Sequence, residues 1–193
     1  MTSIVVVSAG LSVPSSTRLL ADRIAVATVA ALGEGDVTHV ELRDLAHDLT
    51  DHLLTGFPSP RLAAAIEAVR RSDALVAVTP VFTASYSGLF KTFFDVLEPG
   101  LLDGKPVLVA ATAGTARHSL VLDHALRPLF SYLHATPLPT AVFAASEDFG
   151  SPGLSERIER AARDLADAVG RRPRLHVVGE LEDVTPFEQL LRG

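Results

Sequence analysis

Three segments of this sequence carry residue types that suit a flat, phosphorylated ligand. The first places Ser12, Ser15, Ser16 and Thr17, followed by Arg18, directly before a helical pattern. Free backbone N–H groups at a helix N-terminus, the helix dipole and side-chain hydroxyls together bind anions. A helix cap explains one Ser or Thr, but it does not require four. The segment therefore predicts a phosphate site; the alternative is a simple cap.

The second segment runs from Thr79 to Asp95. Pro80 is expected to end a strand, and Ser87-Gly88 is expected to let the chain turn into a helix. Such a loop offers backbone amides and an aromatic wall to a flat heterocycle. Phe82 and Tyr86 suit that wall, although they equally suit ordinary packing.

The third segment, residues 111–118, contains the small-residue turn Ala113-Gly114, at which a ring can approach the backbone closely. His118 is expected either to sense or stabilise negative charge on a reduced ring, or only to cap a helix or contact a phosphate. Arg117 is expected to be a solvated surface arginine; the alternative is a contact with the phosphate of a nucleotide. None of the three segments holds an acid–base pair, which favours a redox cofactor over a hydrolase.

Composition excludes several other functions. The formal net charge of -6 argues against a nucleic-acid partner. The absence of cysteine removes disulfides and thiolate chemistry, and the seven histidines show no metal-ligand spacing. The sequence lacks GxxxxGK[ST], GxGxxG and any apolar run of about 18 residues. We therefore expect a cytoplasmic protein without a metal, a membrane span or a nucleic-acid partner.

The elements that must position these segments alternate between strands and helices. Short apolar runs at Ile4–Val7, Val37–Leu42, Ala74–Val78, Val107–Ala111 and Thr140–Ala144 predict five strands. The helical patterns between them repeat apolar residues on one helix face, in the first of them at i, i+4, i+7 and i+11. These residues are Leu20, Ile24, Ala27 and Ala31, then Leu62, Ile66 and Val69 after Ser59-Pro60, then Leu154, Ile158, Leu165 and Val169, with Gly170 as a C-cap.

Strands that are apolar throughout are buried on both faces, as in a parallel sheet between two helix layers. The predicted fold class is therefore α/β, a flavodoxin-like doubly wound five-stranded parallel sheet of order 2-1-3-4-5; a six-stranded Rossmann domain is the competing topology. We expect a domain at 1–170 and a C-terminal tail at 171–193 that packs on the domain or on a partner subunit. Asp44–Ser59 is expected to be a loop.

Two of the three segments resemble the NAD(P)H-dependent FMN reductases of the flavodoxin-like superfamily. The similarity is greatest to the branch that supplies reduced flavin to two-component sulfonate monooxygenases. Residues 79–91 are similar to that branch's TPVY-x-A-S-[FY]-[ST]-G-x-x-K signature, and residues 111–118 to its ATGGT-x-x-H loop. Residues 122–129 continue as its LD-x-AL-[KR]-PL run, so the likeness covers roughly residues 1–145.

The resemblance implies which residues bind FMN. The phosphate would be bound by Ser12, Ser15, Ser16 and Thr17, with Arg18 nearby. The isoalloxazine ring would contact Pro80, Val81, Phe82, Thr83 and Ser85. Its far edge would lie along Thr112, Ala113, Gly114 and Thr115, with His118 close to the ring or to the nicotinamide.

Three departures from the family pattern bear on binding. Gly10 and Ser12 stand where the commoner first loop has Ser and Arg, so the phosphate lacks a charged partner. Ala113 replaces the first glycine of the GG pair. His124 stands where some relatives carry an inserted tyrosine that widens the helix into a π-turn at a subunit interface, and no such bulge is expected here.

The resemblance implies a cytoplasmic enzyme that transfers hydride from NADPH or NADH to FMN and supplies reduced flavin to a monooxygenase. One alternative is an FMN-containing quinone or azo-compound reductase. Another is a non-enzymatic, flavodoxin-like electron carrier, although a carrier would be expected to be more acidic and to wall its flavin with Trp or Tyr. A homodimer or tetramer is also expected, because the apolar residues Leu89, Phe90, Phe93, Phe94 and Leu97 exceed one helix face.

Overall fold

The computed structural model describes residues 1–171. The predicted tail lies, except for Arg171, outside the described residues. Seven strands are described, at β1 Thr2–Ser8, β2 Gly35–Glu41, β3 Ala74–Phe82, β4 Ser85–Tyr86, β5 Pro106–Ala113, β6 Thr136–Pro137 and β7 Val142–Ala145. The six α-helices described are α1 Ser16–Leu32, α2 Ala46–Thr55, α3 Pro60–Arg71, α4 Gly88–Asp95, α5 Arg127–Tyr132 and α6 Pro152–Gly170.

The sheet has the predicted doubly wound order. Strands β2, β1, β3 and β5 are parallel neighbours in that sequence, and β6 and β7 both pair in parallel with β5. The strands therefore follow the order 2-1-3-4-5, with the fifth position divided between β6 and β7. The additional strand β4 is an antiparallel hairpin partner of β3.

Two apolar layers bury the sheet. Val5, Val7 and neighbouring side chains of one face pack with α2, α3, α4 and α5. Ile4, Val6 and the side chains that alternate with them on the other face pack with α1 and α6. Both faces of β1, β3 and β5 are covered, which is why their sequences are apolar at consecutive positions.

The segment Asp44–Ser59, expected to be a loop, is mostly helical. A short 3-10 turn at Leu42–Leu45 leads into α2, and α2 ends at Gly56 (φ 77°), which donates its N–H to the carbonyl of His52. Leu42, Leu45 and Leu49 are buried at helical spacing. The loop prediction was wrong because the histidines and aspartates between these leucines hid an amphipathic stripe.

Smaller corrections concern element ends and faces. Pro80 does not end β3: it still pairs with Thr112 of β5, and Val81 and Phe82 continue the strand by pairing with β4. Gly170 is the last residue of α6, and Arg171 occupies the C-cap in a right-handed conformation. Ala31 is exposed because the buried face of α1 ends at Thr28.

The aromatic residues of α4 are covered within the chain. Phe90, Phe93 and Phe94 are at most 1% exposed. The ring centroids of Phe90 and Phe94 lie 4.8 Å apart, and those of Phe94 and Phe130 lie 4.9 Å apart in an edge-on contact. Such pairs are stabilising beyond the area they bury. The argument that these side chains need a second subunit was therefore wrong, although the oligomeric state itself stays a prediction.

Candidate functional site

The three predicted segments converge at one edge of the sheet. Ser8 pairs with Val78, and Pro80 pairs with Thr112, so β1, β3 and β5 end at the same level. The chain winds in opposite directions from β1 and from β3, which makes the gap between them the topological switch point. In open α/β sheets this is where ligands bind.

A buried hydrogen bond joins the first segment to the third. The hydroxyls of Thr17 and Thr112 lie 2.8 Å apart, and both side chains are almost fully buried. The Thr17 hydroxyl therefore links α1 to β5, and any contact that it makes with a ligand is made in addition to that hydrogen bond. Spacing along the sequence does not reveal the pair, because 95 residues separate the two threonines.

The first loop presents hydroxyls at the N-terminus of α1. Ser15 is the N-cap, and its Oγ accepts the N–H of Arg18 at 3.1 Å, which leaves its own proton free to donate. Ser12 and Ser16 are exposed. A Cβ at Gly10 would lie 2.0 Å from Ser15 Oγ, so only glycine lets the loop close this tightly.

Arg18 does not face the loop as a free cation. Its Nε donates to Asp22 at 2.7 Å, and its Nη1 lies 2.9 Å from Glu41. Burial lowers the pKa of the guanidinium, but the hydrogen bond to Asp22 and the charge of Glu41 outweigh it and raise the pKa above its ordinary value. Burial in turn raises the pKa of Glu41, with Arg18 opposing the shift. The cation is thus largely neutralised by carboxylates.

The second segment is a two-residue hairpin. Val81 pairs with Tyr86 and Phe82 with Ser85, and the two turn residues both have positive φ, 48° at Thr83 and 66° at Ala84. Residues with side chains rarely adopt this conformation, and a β-branched threonine is a marked exception. Strained turns of this kind cluster at ligand sites.

Thr79 and Ser87 fix the base of this hairpin. The buried Thr79 Oγ1 donates to the carbonyl of Pro80 at 2.9 Å and accepts the N–H of Ser87 at 3.0 Å. Ser87 is the N-cap of α4, and its Oγ accepts the N–H of Phe90 at 3.2 Å. The hairpin is thus held from both ends. Sequence reasoning missed the bridging role of Thr79, which no spacing rule reports.

The third segment opens outward from the sheet. Thr112 is buried, Ala113 is half-buried, and Gly114, Thr115 and His118 are exposed. A Cβ built at Gly114 meets no atom within 4 Å, so this turn borders open space into which a ring fits. His118 and Arg117 lie in a short 3-10 turn with no cap contact from a side chain.

The helix that follows contains the π-turn that was not expected. Leu122–Leu126 is π-helical, and Arg127 donates its N–H to the carbonyl of Leu122, five residues back. Pro128 lacks an N–H and its ring crowds the carbonyl of His124 four residues before it. A wider turn relieves that crowding, so this chain forms the bulge with histidine at the position of the tyrosine.

Ser8, at the carboxyl end of β1, is a further notable residue that the sequence prediction did not single out. Its side chain is fully buried at the end of β1, and its Oγ has no hydrogen-bond partner among the described residues. Alternation along β1 places it on the α1 side of the sheet, as Ile4 and Val6 are. A buried hydroxyl without a partner is costly, which is the usual sign of a group kept for a ligand or a water.

These observations fit FMN. The closed hydroxyl loop at the start of α1 suits a single phosphate, the Ser8 hydroxyl at the end of the neighbouring strand is buried without a partner among the described residues, and the open turn at Gly114 admits a flat ring. Within residues 1–171, no cluster of three or more His, Asp or Glu side chains is placed to hold a metal ion. No helix in that range is long and apolar enough to cross a membrane.

The strand order and the ligand loops at the switch point define the flavodoxin-like class of α/β proteins. A flavodoxin from the domain Archaea has this fold, with a TM-score of 0.63 and 15% identity over 88% of this chain and 99% of that one.

The chain belongs to the NADPH-dependent FMN reductase family, whose profile matches residues 2–150. It is 39% identical to an FMN reductase (NADPH) from Pseudomonas aeruginosa over 89% of this chain and 95% of the relative. It is also 39% identical to the NADH-dependent FMN reductase SfnF from Pseudomonas putida, over 81% and 87% of the two chains. The structure of an oxidoreductase from Corynebacterium diphtheriae matches with a TM-score of 0.87 and 49% identity, over 90% of this chain and 99% of that one.

Proposed function

We propose that this protein is an NAD(P)H-dependent FMN reductase that transfers hydride from a nicotinamide nucleotide to FMN. The observation that carries the proposal is the convergence of a phosphate-sized hydroxyl loop, a strained hairpin and an open small-residue turn at the switch point. FMN supplies the redox chemistry when bound. This chain's residues position the ring and the phosphate.

Ser12, Ser15 and Ser16 are proposed to donate to the FMN phosphate, with Thr17 supporting them through its bond to Thr112. The ring is proposed to lie between the hairpin and the third loop, in contact with Pro80, Val81, Phe82, Thr83, Ser85, Thr112, Ala113, Gly114 and Thr115. His118 is proposed to face the ring or the nicotinamide from the exposed rim.

The state of Arg18 supports FMN as an exchanging substrate. Because Asp22 and Glu41 bind the guanidinium, the phosphate lacks the bidentate arginine that strengthens most anion sites. We therefore expect a dissociation constant in the micromolar range, about -8 kcal/mol. Such an enzyme releases reduced flavin, and the recipient proposed for it is a flavin-dependent monooxygenase.

The test is the purified full-length protein. We expect it to be nearly colourless, to oxidise NADPH or NADH only when FMN is added, and to give intersecting steady-state patterns when both substrates are varied. A yellow protein that retains stoichiometric FMN through dialysis, with ping-pong kinetics toward quinones, would overturn the proposal. Absence of oxidation with either nucleotide would point to an electron carrier instead.

The proposal extends to location and assembly. The proposed nicotinamide substrates support a cytoplasmic location. Leu53, Leu54 and Phe57, at and just beyond the end of α2, are 53%, 81% and 80% exposed. Together we call them the apolar patch; large exposed apolar side chains grouped in this way commonly mark a protein interface. We propose that it is buried in a homodimer or tetramer.

A further inference from the structure

The ion pair between Arg18 and Glu41 lies beside the first ligand loop. Glu41 is the last residue of β2, and its register partner on β1 is Ser8, from which that loop departs. Adjacent strands lie about 4.8 Å apart. Val37 packs in the apolar layer of α1 and α6, so alternation along β2 places Glu41 on the α1 side of the sheet as well. The guanidinium at Glu41 is therefore held next to the loop that suits a phosphate.

Two carboxylates bind Arg18, and they differ in burial. Asp22 accepts from Nε at 2.7 Å one helical turn further along α1, but its side chain is 44% exposed, and exposed pairs of this kind are weak. The side chain of Glu41 is only 21% exposed, its Oε1 is shielded from solvent, and this oxygen lies 2.9 Å from Nη1. Burial raises the pKa of the Glu41 carboxyl, and the charge of Arg18 opposes that rise. Glu41 is therefore the partner that depends on the guanidinium.

This dependence bears on any phosphate bound at the start of α1. Arg18 stands in the first turn of the helix, where its N–H is bonded to the Ser15 hydroxyl at 3.1 Å, and helical side chains lean toward the helix N-terminus. If the guanidinium turned to a phosphate, Glu41 would be left as a partly buried carboxylate without its cation, next to a second anion. Removing the partner of a buried charge is strongly unfavourable. Glu41 and a phosphate thus compete for one guanidinium.

We propose that Glu41 sets the affinity for FMN by withholding Arg18 from the phosphate, an inference that rests on the function proposed above. Glu41 is a positioning residue, since it acts through Arg18. With the carboxylate present, the phosphate is bound by hydroxyls and backbone amides, and FMN exchanges. Without its charge, Nη1 is released while Nε stays with Asp22, so the guanidinium remains beside the loop and donates to the phosphate. One side chain thereby separates flavin used as a substrate from flavin retained as a cofactor.

The test is Glu41→Gln in the full-length protein. This substitution keeps the shape of the side chain and removes its charge, and a neutral amide binds a guanidinium less strongly than a phosphate dianion does. The dissociation constant for FMN should fall at least about tenfold, as expected for one new charge-assisted hydrogen bond. Riboflavin, which has no phosphate, should bind as it does to the unmodified protein. Fluorescence titration with each flavin, without a nicotinamide nucleotide and well below the Tm, measures both affinities.

Two further variants separate release of Arg18 from a general change of charge. Asp44→Asn is the matched control: Asp44 is exposed, and its charge acts on the pKa of Glu41, but it makes no ion pair with a described residue. It should change the FMN dissociation constant by no more than about twofold, because exposed charges are screened. In the double variant Arg18→Gln/Glu41→Gln, the gain should disappear, since the two residues act as one unit.

Unchanged or weaker FMN binding in Glu41→Gln would overturn the proposal. An equal gain for riboflavin would also overturn it, and so would a gain that persists in the double variant or that Asp44→Asn reproduces. Because the titrations contain no nucleotide, they are independent of turnover. An unmodified protein that binds FMN without oxidising NADPH or NADH would contradict the proposed function alone, whereas a protein that binds no FMN would overturn both.

Discussion

Ser12 and Ser16 differ from the other hydroxyl residues of the first loop because their side chains make no hydrogen bond with a described residue. Ser15 caps α1 and Thr17 ties α1 to β5, so their substitution changes both stability and binding. Ser12 and Ser16 are exposed, so their substitution reports on ligand binding with little effect on the fold. This separation was not available from the sequence, in which all four look alike.

Replacing Ser12 and Ser16 with Ala should therefore weaken FMN binding about tenfold for each charge-assisted hydrogen bond lost. Riboflavin, which lacks the phosphate, should bind as it does to the unmodified protein, and the Tm should stay unchanged. Fluorescence titration with both ligands measures the difference. Equal losses for FMN and riboflavin would place the phosphate elsewhere.

Gly114 provides a second probe at the scale of one methyl group. A Cβ at this position meets no protein atom within 4 Å, and its φ is not positive, so Gly114→Ala should leave stability intact. If the ring lies against this turn, the added methyl should raise the dissociation constant for FMN about tenfold, because close approach is lost. Gly170→Ala, which is equally free of contacts at the end of α6, is the control. Unchanged FMN affinity in Gly114→Ala would remove this turn from the site.

Among the elements, the hairpin and the turn after β7 show how local structure is fixed at the ligand edge of the sheet. The hairpin keeps its strained Thr83-Ala84 turn because Thr79 and Ser87 hold its base. After β7, Asp148 accepts the N–H of Ala145 at 2.8 Å and pairs with Arg157 of α6 at 3.1 Å. This carboxylate therefore joins the 3-10 turn Ser146–Gly150 to α6.

Asp148 predicts a pH dependence of stability. Partial burial raises the pKa of Asp148. The hydrogen bond from the Ala145 N–H and the interaction with Arg157 lower this pKa by more, so that it lies below the ordinary value for aspartate. The folded state thus binds this proton less readily than the unfolded state, so the contribution is present above about pH 4 and is lost as pH falls through the folded pKa. Asp148→Asn should reduce the free energy of unfolding by about 1–2 kcal/mol at pH 7.

The difference between Asp148→Asn and the unmodified protein should shrink as urea denaturation is repeated from pH 7 down to pH 3. Asp36→Asn is the control, since Asp36 is exposed in β2 and makes no ion pair with a described residue. A difference that stays constant with pH would show that the loss comes from packing rather than from charge.

For the whole molecule, the open question is how the chain assembles, because its large aromatic cluster is already buried within one copy. We expect light scattering at micromolar concentration to give at least twice the 20.4 kDa chain mass. Leu54→Glu should reduce it to one chain, because a charge then stands in the apolar patch. A mass of about 20 kDa for the unmodified protein would contradict the prediction, and circular dichroism of the variant checks that it folds.

The sequence by itself determined the sheet and the general location of the site. Parallel strands that are buried on both faces must be apolar at consecutive positions, so β1, β3 and β5 could be predicted from the sequence. Ligand loops in such a sheet follow the carboxyl ends of the strands, which gave the location of the site. Ser59-Pro60 likewise marked the start of α3, since an N-cap and a first-turn proline are local signals. Local chemistry of this kind depends on neighbouring residues alone.

Only the tertiary structure decided what each site residue does. The Thr17–Thr112 bond, the pairing of Arg18 with Glu41, the bridging by Thr79 and the orphaned hydroxyl of Ser8 all depend on where distant segments meet. The amphipathic helix α2 was missed for a related reason: burial against neighbouring elements selects it, and that burial exists only once the sheet has formed. The π-turn before Pro128 differs, because the proline that favours it is a local signal that the sequence prediction did not use. Hydrogen bonds and burial are set by distances in space, which the spacing of residues along a chain does not report.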